Sequence, residues 1–384
     1  MNKVYTVANC CLLLLLCVTC CDCEGRKTKQ TSSEDSSHIA QRQIVNLYIE
    51  NSGSMAGYFT GNSRIKDIIK DYYDRIKERG SASDTITLNY INNDVERTTD
   101  NIDVYLLSTQ KKCTSKFTKI DDILTKAMRQ CNDSTVNIVI SDYSFTSNTS
   151  SLTMASSGIT RIFTEQMKDD KKLCVAIYKY MSDFNGKYYP GGINCKKPLP
   201  FYLWIFGNAE QVKNIVNSPI KSQNCGTLIL QPYQELIPII DAKKKRMVNG
   251  NTIVVSEWDK DRNRDITKYS VTIDLDLSNV ILSNEEIRNI SMYQISEGYT
   301  IESITPKDNG SYSFVVSTGK PSPGVISIAY LQKELPEWVE KSDYTGAGIP
   351  KDSTTYGLNS LISGVYDAYH NSLDKIFKTE IILK

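Results

Sequence analysis

Ile44-Val45-Asn46-Leu47-Tyr48-Ile49-Glu50-Asn51-Ser52-Gly53-Ser54 is the stretch on which the reading of this chain turns. Its first half is a short apolar run ending in an acid, the pattern of a buried strand. Its second half, Asn51-Ser52-Gly53-Ser54, is turn chemistry. Ile65, Ile68, Ile69, Tyr72, Tyr73 and Ile76 then recur at helical spacing, and Gly80 closes the segment. A strand, a polar turn and a helix in that order set the turn beyond the carboxyl end of the strand, where open α/β sheets bind ligands.

The alternation continues to about residue 231. Asp84 to Ile91 reads as a second strand and Asp103 to Leu107 as a third, joined to it by a hairpin. Ile120, Ile123, Leu124, Ala127 and Met128 form a helical stripe, and Val136 to Ile140 is a buried strand leading into Ser141-Asp142. Residues 158–168 and 208–217 read as helices; Leu173 to Tyr178 and Phe201 to Phe206 read as strands. The pattern predicts a doubly wound, mainly parallel sheet covered on both faces. Asn185-Gly186, flanked by Tyr178, Tyr180, Tyr188 and Tyr189, suggests a hairpin after a strand. Its tyrosines fit ordinary strand positions better than a partner-binding surface.

Three polar clusters fall where that rule places a site: Glu50 to Ser54 after the first strand, Thr118 ahead of a helix, and Asp142 at the end of a later strand. Two carboxylates and three hydroxyls are hard oxygen donors, the set that suits magnesium in octahedral coordination.

These residues resemble the von Willebrand factor A family. Ile49-Glu50-Asn51-Ser52-Gly53-Ser54-Met55 is similar to the Asp-x-Ser-x-Ser motif of that family's metal-ion-dependent adhesion site. Phe117-Thr118-Lys119-Ile120 stands where the family's Thr precedes a helix, and Ile140-Ser141-Asp142 where its last acid ends the fourth strand. The resemblance spans about residues 43–231 and implies a Rossmann-type module. It implies that Ser52, Ser54 and Thr118 ligate Mg²⁺ or hold its waters, with Mn²⁺ as a substitute, while Glu50 and Asp142 neutralise the ion. A protein partner's acidic side chain would fill the open position. The chain departs from the family at Glu50 in place of Asp, at Tyr143 in place of Gly, and in lacking the glycines of the family's Gly-Gly-Thr-like turn before Thr118.

At the amino end, Lys3 precedes an apolar run from Ala8 to Val18, the length of a secretory signal and too short to span a bilayer. Val18-Thr19-Cys20-Cys21 resembles the lipobox of bacterial lipoproteins, and Asp22 and Glu24 resemble the surface-export signal of Bacteroidetes-type ones. This implies a signal peptide over 1–20 and a lipid on Cys21 (or Cys20). Residues 21–42 are polar and Ser-rich, a flexible tether to the outer membrane or its periplasmic or surface face. Cys113, Cys131, Cys174, Cys195 and Cys225 belong to the body, an odd set with no CxxC spacing, which argues against structural zinc.

Composition narrows the function further. Lys+Arg 45 against Asp+Glu 44 gives no basic face for nucleic acid. His38 and His370 are the only histidines, and no G-x-S-x-G elbow surrounds Ser54, so no complete catalytic constellation is present. Asp274-Leu275-Asp276-Leu277 alternates as an amphipathic strand, and Lys243 to Arg246 reads as a solvated basic run.

From 232 onward, strand-like runs at 252–256, 269–275, 299–304, 311–317 and 325–331 are separated by turn clusters, which predicts an antiparallel β-sandwich. Leu358, Leu361, Ile362, Val365, Tyr366 and Tyr369 give one apolar helical face near the carboxyl end. The whole reads as a lipid-anchored binding protein rather than an enzyme. A metal-free scaffold subunit of an envelope assembly is the alternative, with a hydrolase or ligand-capturing lipoprotein behind it.

Overall fold

The computed structural model describes residues 43–80, 84–116, 119–144, 152–189, 192–216, 224–240, 251–253, 259–260, 269–346, 348–349, 354–370 and 374–384. The expected signal peptide, Cys20, Cys21, the tether, Thr118 and the basic run at 243–246 lie outside the described residues.

The chain is mixed α/β. Its first sheet has seven strands in the order β3-β2-β1-β4-β8-β5-β9. These are β1 (Ile44–Glu50), β2 (Thr85–Ile91), β3 (Val95–Thr98), β4 (Thr135–Ser141), β5 (Cys174–Ser182), β8 (Leu199–Gly207) and β9 (Gly226–Leu230). A separate two-stranded hairpin, β6 (Asn185–Tyr188) and β7 (Ile193–Lys196), links β5 to β8. The helices on the sheet are α1 (Arg64–Arg79), α2 (Ile102–Lys112), α3 (Ile120–Arg129), α4 (Leu152–Asp169) and α5 (Ala209–Val216).

Alternation along β1 decides which face each side chain serves. Val45, Leu47 and Ile49 enter a core with Ile65, Ile68 and Tyr72 of α1, Tyr105 of α2 and Val212 of α5. Tyr48 enters the opposite core with Leu124 of α3 and Phe163 of α4. Both faces are therefore covered, and each large side chain sealed in this way contributes about 1.5–3 kcal/mol.

Two expectations are corrected. The sheet contains parallel strands but is not mainly parallel: β1 runs parallel to β2 and β4, whereas β3, β8, β5 and β9 pair antiparallel to their neighbours. The β6–β7 hairpin is the cause. The link between β5 and β8 is itself an antiparallel hairpin rather than a crossover helix, so β8 runs back along β5 and inserts between β5 and β4. Residues 103–107 are helical, not a strand. Asn101 caps α2 by accepting the Val104 N–H at 3.0 Å, and Ile102, Tyr105, Leu106 and Thr109 bury at helical spacing. The strand that pairs with β2 is Val95–Thr98.

Beyond residue 232, two five-stranded sheets share one core. Ile273, Leu275, Phe314 and Val316 on one face Ile328, Tyr330, Phe377 and Ile381 on the other. Pairing is antiparallel except where residues 234–236 and 252–253 join the last strand, Lys375–Leu383. Two short helices, α6 (Asn284–Arg288) and α7 (Glu337–Lys341), precede the long α8 (Leu358–Tyr369).

Helix α8 lies on the first sheet, with Leu358, Leu361, Ile362 and Val365 in the same core as Leu124 and Phe163. It approaches α4 closely at Gly364, whose carbonyl accepts from Thr160 Oγ1 at 2.9 Å. A Cβ at Gly364 would lie 2.5 Å from the Ser156 carbonyl oxygen and 3.1 Å from Ile159 Cβ. Gly364→Ala should therefore lower stability by about 1–3 kcal/mol through overpacking, read by urea unfolding. An unchanged midpoint would show that the α4–α8 contact is slack.

Candidate metal site at the rim of the first sheet

Parallel pairing brings the carboxyl ends of β1 and β4 to one rim. Ile49 pairs with Ile140, so the next residues, Glu50 and Ser141, are neighbours. Glu50 is fully buried, and the Ser141 hydroxyl donates to its carboxylate. The same Ser141 Oγ accepts the Tyr143 N–H at 2.8 Å.

The turn after β1 is held by its neighbours. Asn51 N–H donates to the Ile91 carbonyl, and Gly53 N–H to that of Ser115. Ser52 and Ser54 are thereby turned toward each other, with Oγ atoms 2.8 Å apart. Asp142 follows β4. Its carboxylate accepts the Ser144 N–H at 3.0 Å and a hydrogen bond from Ser54. Burial pushes the Asp142 carboxyl above its ordinary value, against the opposing pull of those two hydrogen bonds.

Of the expected site residues, Glu50, Ser52, Ser54 and Asp142 thus gather on one rim, all 8% exposed or less. Thr118 lies outside the described residues. Ser141 and Ser144 belong to the cluster although the sequence reading gave them no role; their place beside Asp142 was the available signal.

Tyr143 occupies the left-handed region at φ 49°, which explains why a glycine suits the residue after this acid. The strain, about 1–3 kcal/mol, is offset by the Ser141 hydrogen bond and by stacking on Trp204 with centroids 4.6 Å apart.

The hairpin covers the rim. Its tyrosines point inward: Tyr188 is buried, and the Tyr189 carbonyl accepts from Ser144 Oγ at 2.9 Å. Tyr178, Tyr180 and Tyr188 are buried strand residues, and Asn185-Gly186 is not the hairpin's turn but the start of β6, paired with Lys196 and Cys195 of β7. Gly186 fits because a Cβ there would sit 2.7 Å from Gly57 Cα, so hairpin and post-turn backbone are in direct contact. Between hairpin and rim lies a cavity of about 10 Å³. That is the scale of one water molecule.

The donor set fits a small divalent cation. Adjacent ligands of an octahedron with about 2.1 Å bonds lie about 3.0 Å apart. The Ser52–Ser54 separation of 2.8 Å is close to that edge. Burial, followed by the Glu50 and Asp142 charges, drives the nearby Cys113 thiol well above its ordinary value. Among the described residues no group of three or more His, Cys, Asp or Glu side chains could hold a metal. Any ion at this rim therefore depends on hydroxyl oxygens as well as acids.

His370 hydrogen-bonds the Tyr366 hydroxyl at 2.8 Å and stacks on its ring. The five body cysteines are all free. Among the described residues no helix is long and apolar enough to cross a membrane. No family model, no curated protein and no solved structure matches the chain.

Ser141→Ala removes a hydroxyl donor from the fully buried Glu50. The expected loss is about 1–3 kcal/mol at neutral pH, measured by urea unfolding. A change below the error of the extrapolation would mean that the Glu50 carboxylate does not draw on Ser141.

Proposed function

We propose that this chain is a lipid-anchored envelope protein, held through Cys21 (or Cys20), that binds a protein partner through a von Willebrand factor A-like module over residues 43–231. The observation that carries the reading is the pair of serine hydroxyls 2.8 Å apart, joined through Ser54 to the buried Asp142, at the carboxyl ends of two parallel strands.

In this reading Ser52, Ser54 and Asp142 hold Mg²⁺, with Thr118 as the further ligand that the family resemblance implies. Glu50, one methylene longer than the family's Asp, is bonded to Ser141 and balances charge from behind. The ion supplies a coordination position for an acidic side chain of the partner. The chain's own residues do the rest. Ser141 and the Ser144 N–H fix the two carboxylates, and the hairpin keeps bulk water off them.

One observation favours a second reading, a metal-free scaffold subunit: the rim donors already bond one another, and Tyr188 and Tyr189 cover them. The two readings separate on one measurement. For EDTA-treated full-length protein, Mg²⁺ or Mn²⁺ at a hundred times its Kd should stabilise the fold by about 2.7 kcal/mol, visible as a rise in Tm. Asp142→Asn should raise stability without metal, because it removes a buried charge, and should abolish the metal-induced rise. Ser54→Ala should also lose the rise, and EDTA should weaken partner capture. No rise in the wild-type protein would favour the scaffold.

A further inference from the structure

The cavity at the rim has a wall that comes from far along the sequence. Thr354 lies in the segment before α8, more than two hundred residues after Asp142, and lines the cavity together with Ser54, Asp142, Ser144, Tyr188 and Lys187. Thr354 is 7% exposed. Its Oγ1 is sealed from solvent and has no hydrogen-bond partner among the described residues. A buried hydroxyl without a partner costs about 1–3 kcal/mol, and an ion or water is the usual explanation.

The segment is fixed in place. The Thr354 carbonyl accepts from Tyr188 Oη at 3.5 Å, and Thr355 Oγ1 accepts from Tyr202 Oη at 3.2 Å. Thr355 also lines the cavity, but its hydroxyl is already bonded to Tyr202, whereas the Thr354 hydroxyl has no partner among the described residues. The influences acting on Asp142 are burial and the hydrogen bonds from Ser144 and Ser54. Lys187 is the cationic lining residue, and it is itself exposed.

We infer that Thr354 is a further oxygen donor to a divalent cation at the Ser54–Asp142 rim, acting directly or through the single water the cavity admits. The inference rests on the metal reading of this rim and adds an internal donor to it. With the hairpin seated, Thr354 occupies the side from which a partner's carboxylate would reach the ion. The cation then ties the segment ahead of α8 to the ends of β1 and β4.

The test is Mn²⁺ titration calorimetry on EDTA-treated full-length protein and three variants. Thr354→Val keeps shape and loses the hydroxyl; Mn²⁺ affinity should fall about tenfold or more. Thr354→Ser keeps the hydroxyl and should bind within about twofold of wild type. Thr355→Val disturbs the same segment through a hydroxyl already bonded to Tyr202, and should leave Mn²⁺ affinity near wild type. Equal losses in Thr354→Val and Thr355→Val would assign the effect to the segment's packing and overturn the inference. Wild-type affinity in Thr354→Val would overturn it while leaving the metal reading standing. No Mn²⁺ binding by the wild-type protein would overturn both. Should Thr354→Val fail to fold by circular dichroism, a tenfold loss in Thr354→Ser would likewise overturn the claim that the hydroxyl is what matters.

Discussion

Glu50 and Asp142 are both carried out of water by the pairing of β1 with β4. A carboxylate in so dry a place needs hydrogen bonds, a proton or a cation, because isolated buried charge is expensive. The local architecture answers that demand. Ser141 reaches Glu50, while Ser54 and the Ser144 amide reach Asp142. The turn backbone is pinned to Ile91 and Ser115 so that Ser52 and Ser54 face each other. Even the left-handed Tyr143 follows from the same constraint. The chain must turn sharply after Asp142 to let Ser144 bond back, and Trp204 supplies the surface on which the ring rests.

Closure of the rim links the two halves of the chain. The hairpin between β5 and β8 covers it from one side, and the Thr354–Thr355 segment from another. That segment leads directly into α8, which is packed on α4 across the first sheet. The rim and the carboxyl-terminal helix are thus joined by a continuous set of packed and hydrogen-bonded contacts.

Much of this was legible in the sequence, for reasons that differ by element. The run 44–50 and the stripe at 65–76 declare themselves because burial imposes their periods, and the polar turn between them fixes which end carries chemistry. Residues 103–107 misled because Val104, Tyr105, Leu106 and Leu107 make a continuous apolar run, which periodicity cannot divide between strand and helix. Asn101 as a cap was the discriminating signal. The insertion of β8 between β4 and β5 was not legible, since strand order depends on how a hairpin folds back rather than on any local pattern. Ser141 was visible beside Asp142, but its bond to Glu50 needs the strand register. Thr354 carried no signal at all: a lone threonine in an irregular segment gains meaning only from the cavity it meets.

The most direct test is an anomalous-difference map from crystals soaked in Mn²⁺. The account predicts a single peak at the rim, bonded to Ser52, Ser54 and Asp142 oxygens and facing Thr354. A featureless map, or a peak elsewhere with the serine pair still bonded only to each other, would contradict it.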